Sequence, residues 1–440
     1  MEEIKITNHK EKPHVGSFTC FRTLGETVPG VKTAKKYLEM GGKLTFFSHG
    51  GEFEHLGEET GGKIVKLLPI SYEEAVEKNN KRKIKYTFEK MAFECYNKKV
   101  IEDFVEEEIE EIKKHDIDLI VATFNPTVSI SARVLNIPVI VLTSGTYGPI
   151  YFDSGYVTYP ESYENSITRF VPSYIKNNIV SWLLKHNKML VRDTNKVARK
   201  YKVKPFKNLN EIVLGDYTLL CDDINFIGLK PTKKYPKENF IGPIFGTDIH
   251  KDQNEEIPAD IKAHLEKPGR SILVSMGTTV KHDLLLNIIN TLNQTNYNII
   301  VTCGRFDKSK WPEVNDNILL KVLIRQPLKI NKMVDLAVIH GGRGTVYTSA
   351  YSGKPSVGIP MFVEQQYNLD TLVRNGVSIR GSRKFFKPED FLKAIETIFN
   401  NYGTYYKNAQ DLSAKLTREP GEVKAASRII DIYNSLKQKN

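Results

Sequence analysis

A chain of 440 residues, 40% hydrophobic and 26% charged, is long enough for two or three domains with sizeable cores. No apolar run reaches the roughly 20 residues of a membrane-spanning helix, and the four cysteines (Cys20, Cys95, Cys221, Cys303) are scattered without the paired spacing of a zinc site or a disulfide framework. The net charge of +11 admits an anionic partner, but residues 165–207 nearly account for it, with 11 lysines and arginines against one acid, Asp193, and no nucleic-acid-binding signature accompanies them.

Residues 1–12 are charged and lack an apolar signal core, so the expected location is cytoplasmic. Residues 14–20 are an apolar strand, 21–30 a loop with two glycines and Pro29, 31–40 a helix stopped by Gly41 and Gly42, and 43–48 the next strand. Such a β–loop–α–β unit binds ligands at the strand carboxyl ends. Residues 71–114 read as a highly charged helical stretch, with 106–111 a solvated face. A buried strand is expected at 118–123, a helix at 126–135, a strand at 137–142 and an irregular region at 147–172. Helices fill 173–201. Strands follow at 214–220 and 240–243, and the polar stretch 245–268 is the linker candidate. The pattern then restarts with a strand at 271–275, a glycine turn at 276–279, a helix at 282–292 and strands at 298–303 and 318–324.

The stretch 334–368 is the most informative. A short apolar strand runs into His340-Gly341-Gly342-Arg343-Gly344-Thr345, then a helix over 346–352, a second strand over 356–360, a polar loop with Glu364 and Gln365, and a helix from about Asn368. A glycine-rich turn between a strand and a helix N-terminus is an anion site, because backbone N–H groups and the helix dipole both favour negative charge there.

This stretch resembles the nucleotide-sugar-binding signature of family 1 glycosyltransferases, which runs H-G-G-x-G-[ST], G-x-P, P, then [DE]-Q-x-x-N. Here those residues are His340, Gly341, Gly342, Gly344, Thr345, Gly353, Pro355, Pro360, Glu364, Gln365 and Asn368. The resemblance implies an α/β chain of GT-B fold, two Rossmann-like domains facing across a cleft. The first spans residues 1–245 and takes the acceptor, 246–269 link, 270–420 hold the donor, and a final helix in 421–440 returns to the first domain. It implies that His340, the Gly342 and Gly344 amides and Thr345 hold the diphosphate, with Gly277 and Thr278 in a second phosphate-side turn. Gln326 would lie beside the base, and Glu364 and Gln365 would hold the sugar hydroxyls.

The chain departs from the family where proton transfer is expected. Relatives carry Gly-His-x-x-Pro in the first loop, and an Asp orients that His. Here the loop reads Gly25-Glu26-Thr27-Val28-Pro29, and Thr123 stands at the Asp position. Glu26 is therefore the candidate general base, with His14, His49 and His55 as other histidines of this half. Thr348 stands where many members carry a ribose-binding Glu. Asp116 and Asp118 have the D-x-D spacing of a metal site but lead into a strand, so no metal and no cofactor are expected, with a UDP-sugar as donor substrate. The implied activity is inverting, metal-independent transfer from a nucleotide sugar, a UDP-hexose, to a small-molecule or lipid hydroxyl. A catalytically silent nucleotide-sugar binder and a nucleotide-sugar epimerase are the alternatives. Phe170, Tyr174, Ile175, Ile179, Trp182 and Leu183 interleave with the cations of residues 165–207 and suggest peripheral contact with an anionic membrane.

Overall fold

The computed structural model describes residues 11–69, 98–186, 188, 191–246, 256–277, 280–304, 306 and 308–438. Strands β1 (His14–Phe18), β2 (Lys43–Ser48), β3 (Lys63–Lys66), β4 (Leu119–Ala122), β5 (Val139–Thr143) and β6 (Tyr217–Leu220) form a parallel sheet in the order β3-β2-β1-β4-β5-β6. Strands β7 (Ser271–Ser275), β8 (Asn298–Thr302), β9 (Ile318–Lys321), β10 (Leu336–Ile339), β11 (Ser356–Gly358) and β12 (Ser378–Arg380) form a second parallel sheet, β12-β11-β10-β7-β8-β9. Both follow the doubly wound order, with helices covering the faces, so central strands are buried on both sides. Leu119, Ile120, Val121 and Ala122 are accordingly all buried, as are Leu336 to Ile339. This is the expected α/β, two-sheet GT-B architecture.

The edges were harder to read. β3 brackets half-buried Ile64 and Val65 between two exposed lysines, the short charged pattern by which an edge strand avoids further pairing. β12 is three residues long. Residues 240–243 are not a strand: Phe240 makes one isolated bridge to Leu220. The first long helix begins at Leu24, within the predicted loop 21–30, and Pro29 sits inside it. The helix Lys98–Lys114 does not present residues 106–111 as a solvated face, since Glu108 is fully buried. Its carboxylate accepts from Thr127 Oγ1 at 2.5 Å and from the Ser131 hydroxyl, and meets His49 Nε2 at 3.1 Å. A buried carboxylate with this many partners is compensated within the core. The rest of the predicted helical stretch 71–114, residues 71–97, lies outside the described residues.

Within the expected linker, Ala259–Leu265 is a helix whose Ile261 packs with Leu273 and Ile300 of the second half. The last helix, Gly421–Lys437, crosses back to the first sheet, with Ala425, Ile429 and Tyr433 in one core with Val15, Tyr37 and Leu119. The halves also share a core. Phe226 packs on Tyr347 at 4.5 Å between ring centroids and Tyr151 on Tyr367 at 5.4 Å. At its centre the Tyr347 hydroxyl donates to Asp222 Oδ1 (2.9 Å) and accepts from the Asp223 N–H (2.8 Å). Tyr347→Phe keeps the ring and removes both bonds. Leaving the buried Asp223 N–H unpaired should destabilise the chain by about 1–3 kcal/mol. A urea midpoint unchanged from the parent would contradict this role for the hydroxyl.

Candidate active site

In a doubly wound sheet the ligand crevice lies at the carboxyl ends of the strands where the winding reverses. Here those strands are β1 and β4 in the first half and β7 and β10 in the second. The loop after β1 leads to Glu26, that after β4 to Phe124, that after β7 to Gly277, and that after β10 to His340. Arg343 links the two groups, its Nη2 donating to the Gly25 carbonyl at 2.9 Å.

On the second half, His340 is buried between the two glycine turns. A Cβ on Gly277 would lie 2.6 Å from its Cε1, and one on Gly342 would lie 2.4 Å from its Nε2. Both positions are therefore closed to any side chain by the imidazole itself, and Gly277 also has φ +64°. Gly344 differs: its Cβ direction meets no atom within 4 Å, and it opens the N-terminal turn of the helix Arg343–Ser352 to the cleft. Burial pushes the His340 pKa down to about 4, against a hydrogen bond with the Ser275 backbone, so the ring is neutral at pH 7. Thr345 Oγ1 donates to the Gly342 carbonyl at 2.9 Å and lies 3.4 Å from His340 Nδ1. The Thr348 hydroxyl bonds back to the Gly344 carbonyl at 2.7 Å and makes no substitute for a ribose-binding carboxylate. Thr278 lies outside the described residues. Gln326 is buried at the start of the helix Pro327–Met333.

Glu364 and Gln365 are not in a loop, because their helix starts at Val363 and runs to Arg374, earlier than the predicted Asn368. Both stand in its first turn, where carboxylates are favoured by the dipole. Gln365 Oε1 accepts from the Met361 N–H at 2.8 Å, and Asn368 Nδ2 donates to Glu364 Oε1 at 2.8 Å and to the Gly341 carbonyl at 3.0 Å. Asn368 therefore ties the glycine turn to the helix carrying Glu364. Burial pushes the Glu364 pKa up to about 7. Arg343 and Asn368 pull it down, while Glu26 and Asp222 push it up.

On the first half, Glu26 is half-buried in the first turn of the helix Leu24–Glu39. Its carboxylate turns to the Phe124 backbone N–H at the end of β4 and lies in the field of Arg343. Burial raises its pKa above the ordinary carboxylate value, against both of those contacts. At the position where relatives carry the orienting Asp, the Thr123 hydroxyl accepts from the Cys20 N–H at 2.8 Å and fixes the loop that carries Glu26. The other histidines are placed differently. His14 begins β1, at the opposite end of the sheet from the crevice, with Nε2 on Thr45 Oγ1 at 3.0 Å. His49 has both nitrogens engaged, with Leu68 O at 2.8 Å and Glu108 at 3.1 Å, and stacks on Phe104. His55 is exposed on a short helix. Asp118 accepts the His14 N–H at the start of β4, on that same far side of the sheet.

The family model described as UDP-glucoronosyl and UDP-glucosyl transferase matches residues 56–422. The chain belongs to that family. Among curated UDP-glycosyltransferase relatives, rat UDP-glucuronosyltransferase 2B15 is 29% identical over 184 residues, 40% of this chain and 33% of the relative. Human UDP-glucuronosyltransferase 2B17 is 22% identical over 72% of this chain and 61% of its own length. Human 2-hydroxyacylsphingosine 1-beta-galactosyltransferase is 24% identical over 51% and 41%. The chain thus spans between a third and three-fifths of these relatives. Among solved structures, the calicheamicin glycosyltransferase CalG4 superposes with a TM-score of 0.65 at 14% identity, covering 97% of this chain and 98% of that one. The glycotransferase of kitacinnamycin gives 0.63 at 16%, covering 98% and 99%. These likenesses carry the GT-B fold.

Within the UDP-glycosyltransferase signature, Arg343 is the residue that motif reading passed over, because it occupies the unspecified position of H-G-G-x-G-T. A cation in the first turn of a helix opposes the dipole, and that is the signal that could have marked it. Burial opposes its charge, but the carboxylates of Glu26, Asp222 and Glu364 around it hold the guanidinium charged. Its Nη1 is buried with no acceptor among the described residues. Also unforeseen is a clasp between the halves: Gln366 Nε2 donates to Thr158 Oγ1 (2.7 Å) and the Tyr159 carbonyl (3.0 Å), and its Oε1 accepts from the Glu161 N–H (2.9 Å).

Proposed function

We propose that the protein is an inverting, metal-independent glycosyltransferase that moves a hexose from a UDP-sugar to the hydroxyl of an apolar acceptor. The observation that carries this reading is the carboxylate of Glu26 facing, across Arg343, the helix N-terminus that follows His340. The acceptor oxygen attacks the anomeric carbon as the bond to the diphosphate breaks. Glu26 takes the acceptor's proton. The departing diphosphate gathers charge against the Gly342 and Gly344 amides and the Arg343 guanidinium, groups the fold holds in place beforehand, and against Thr345 and His340, whose own protons are engaged with the Gly342 carbonyl and the Ser275 backbone until it binds. Glu364 and Gln365 orient the sugar, with Gln326 beside the base. A lipid-like acceptor is supported by the relative named for 2-hydroxyacylsphingosine.

Incubation with UDP-glucose, UDP-galactose and UDP-glucuronate, each with a panel of apolar alcohols, should release UDP and form a glycoside. NMR coupling constants should report inversion at the anomeric carbon, and EDTA should leave the rate unchanged. UDP-sugar binding without product across the panel would leave a silent binder. A new sugar nucleotide formed without acceptor would mean an epimerase.

A further inference from the structure

The helix Ser173–His186 inverts the usual arrangement of a surface helix. Its apolar residues Tyr174, Ile175, Ile179, Trp182 and Leu183 recur at helical spacing along one stripe, and all are exposed, Tyr174 at 69% and Trp182 at 58%. The turn before it adds Phe170 at 90% exposure and Ile167 at 79%. Its other side is fixed to the protein. Ser181 Oγ donates to the Phe152 carbonyl (2.6 Å), Asn177 Oδ1 accepts from the Tyr159 N–H (2.8 Å), and Lys176 and Lys185 pair with Glu164 and Asp153. The apolar stripe therefore cannot turn inward without breaking these bonds. Arg169, seated 3.8 Å over the Phe385 ring, and Lys384, bonded to the Ser162 and Glu164 carbonyls, tie the same segment to the second half. The stripe thus has a fixed orientation relative to the whole molecule.

A patch of this size and composition marks an interaction surface. Charge decides the partner. The patch lies in the segment with 11 cations and one acid, and Arg169, Lys188 and Arg192 are exposed at its two ends. Aliphatic side chains reaching into the acyl boundary, Trp and Tyr at headgroup depth, and flanking Lys and Arg on lipid charge are what an anionic bilayer surface takes. A second copy of the chain would bring the same cations against each other. We propose that this face docks the protein on an anionic membrane surface.

The chain has two tryptophans, so Trp311→Phe leaves Trp182 as the sole tryptophan, read selectively by excitation at the red edge of indole absorption. Sedimentation with phosphatidylcholine vesicles containing 30% phosphatidylserine should bring down at least 10-fold more protein than phosphatidylcholine alone. Salt of about 0.5 M should reverse the difference, since the Debye length falls to a few Å. Trp182 emission should shift to the blue on binding. Phe170→Asp combined with Ile179→Asp should cut the bound fraction at least 10-fold, with the urea midpoint and turnover on a soluble acceptor unchanged. Three results would overturn the proposal: no sedimentation of the parent, equal sedimentation of the double variant, or a vesicle-free dimer that the same substitutions abolish.

Discussion

Glu26→Gln is expected to lower kcat by on the order of 10²–10⁴ while leaving UDP affinity within a few-fold of the parent. Glutamine keeps the shape and the reach to the Phe124 N–H but cannot accept the acceptor's proton. A carboxylate needs no partner to fix a tautomer, unlike an imidazole, which fits the use of Thr123 as a loop anchor. An ordinary glutamate, with pKa near 4.3, is a weak base at neutral pH. Burial corrects this in part by raising the Glu26 pKa, although Arg343 limits the rise. Activity should therefore climb as pH rises through a pKa above the ordinary carboxylate range, and that limb should vanish in the glutamine variant. Turnover within a few-fold of the parent would remove Glu26 as the base. His14 could not then replace it, lying at the wrong end of the sheet, and neither could His49, whose nitrogens are both engaged.

The strands were legible because parallel strands buried on both faces read as short apolar runs, and β2, β7 and the helix His282–Leu292 fall where the pattern puts them. What stayed hidden has two physical origins. β3 and β12 are edges, where polar residues and short length blur the signal. The starts of the helices at Leu24 and Val363 were misread because neither has a capping side chain, and Pro29 sits inside the first of them. That second error moved Glu364 and Gln365 from a loop into a helical first turn.

Of the candidate site, the motif gave the donor-side residues but not their separate jobs. Gly277 and Gly342 read as places of close ligand approach, whereas the His340 ring itself excludes a Cβ at both. Of the three, it is Gly344 that faces open space. Arg343 was invisible because a pattern position that accepts any residue carries no information. Its role depends on Glu364, one helix further along the same half, and on Gly25 and Glu26, which are distant in sequence and meet it only when the two sheets face each other. Glu108 failed for the related reason that its run of acids looks solvated until His49, Thr127 and Ser131 close over it.

His340→Ala should reduce kcat by about 10²–10³, the usual loss for one donor to developing charge, and should also weaken UDP-sugar binding. The neutral ring offers one N–H, and in the free protein that group is engaged with the Ser275 backbone. A diphosphate beside the ring favours the imidazolium, so binding should raise its pKa from about 4 toward the ordinary 6.5. Near pH 6, UDP-glucose binding should then take up a proton, and affinity should fall as pH rises. UDP-glucose is the suitable probe because its diphosphate lacks the terminal phosphate group that titrates near 6 in UDP. Calorimetry in two buffers of different ionisation heat should show the uptake in the parent and its absence in His340→Ala. The depressed pKa has an opposite consequence for the free fold. The unfolded chain binds the proton more readily, so stability from this group is present above about 6.5 and is lost as pH falls toward 4. UDP-glucose should therefore raise the melting temperature more at pH 5.5 than at pH 7.5. Equal affinity, rate and proton uptake in the variant would show that the ring only packs against Gly277 and Gly342, and that the amides of the helix N-terminus hold the diphosphate without it.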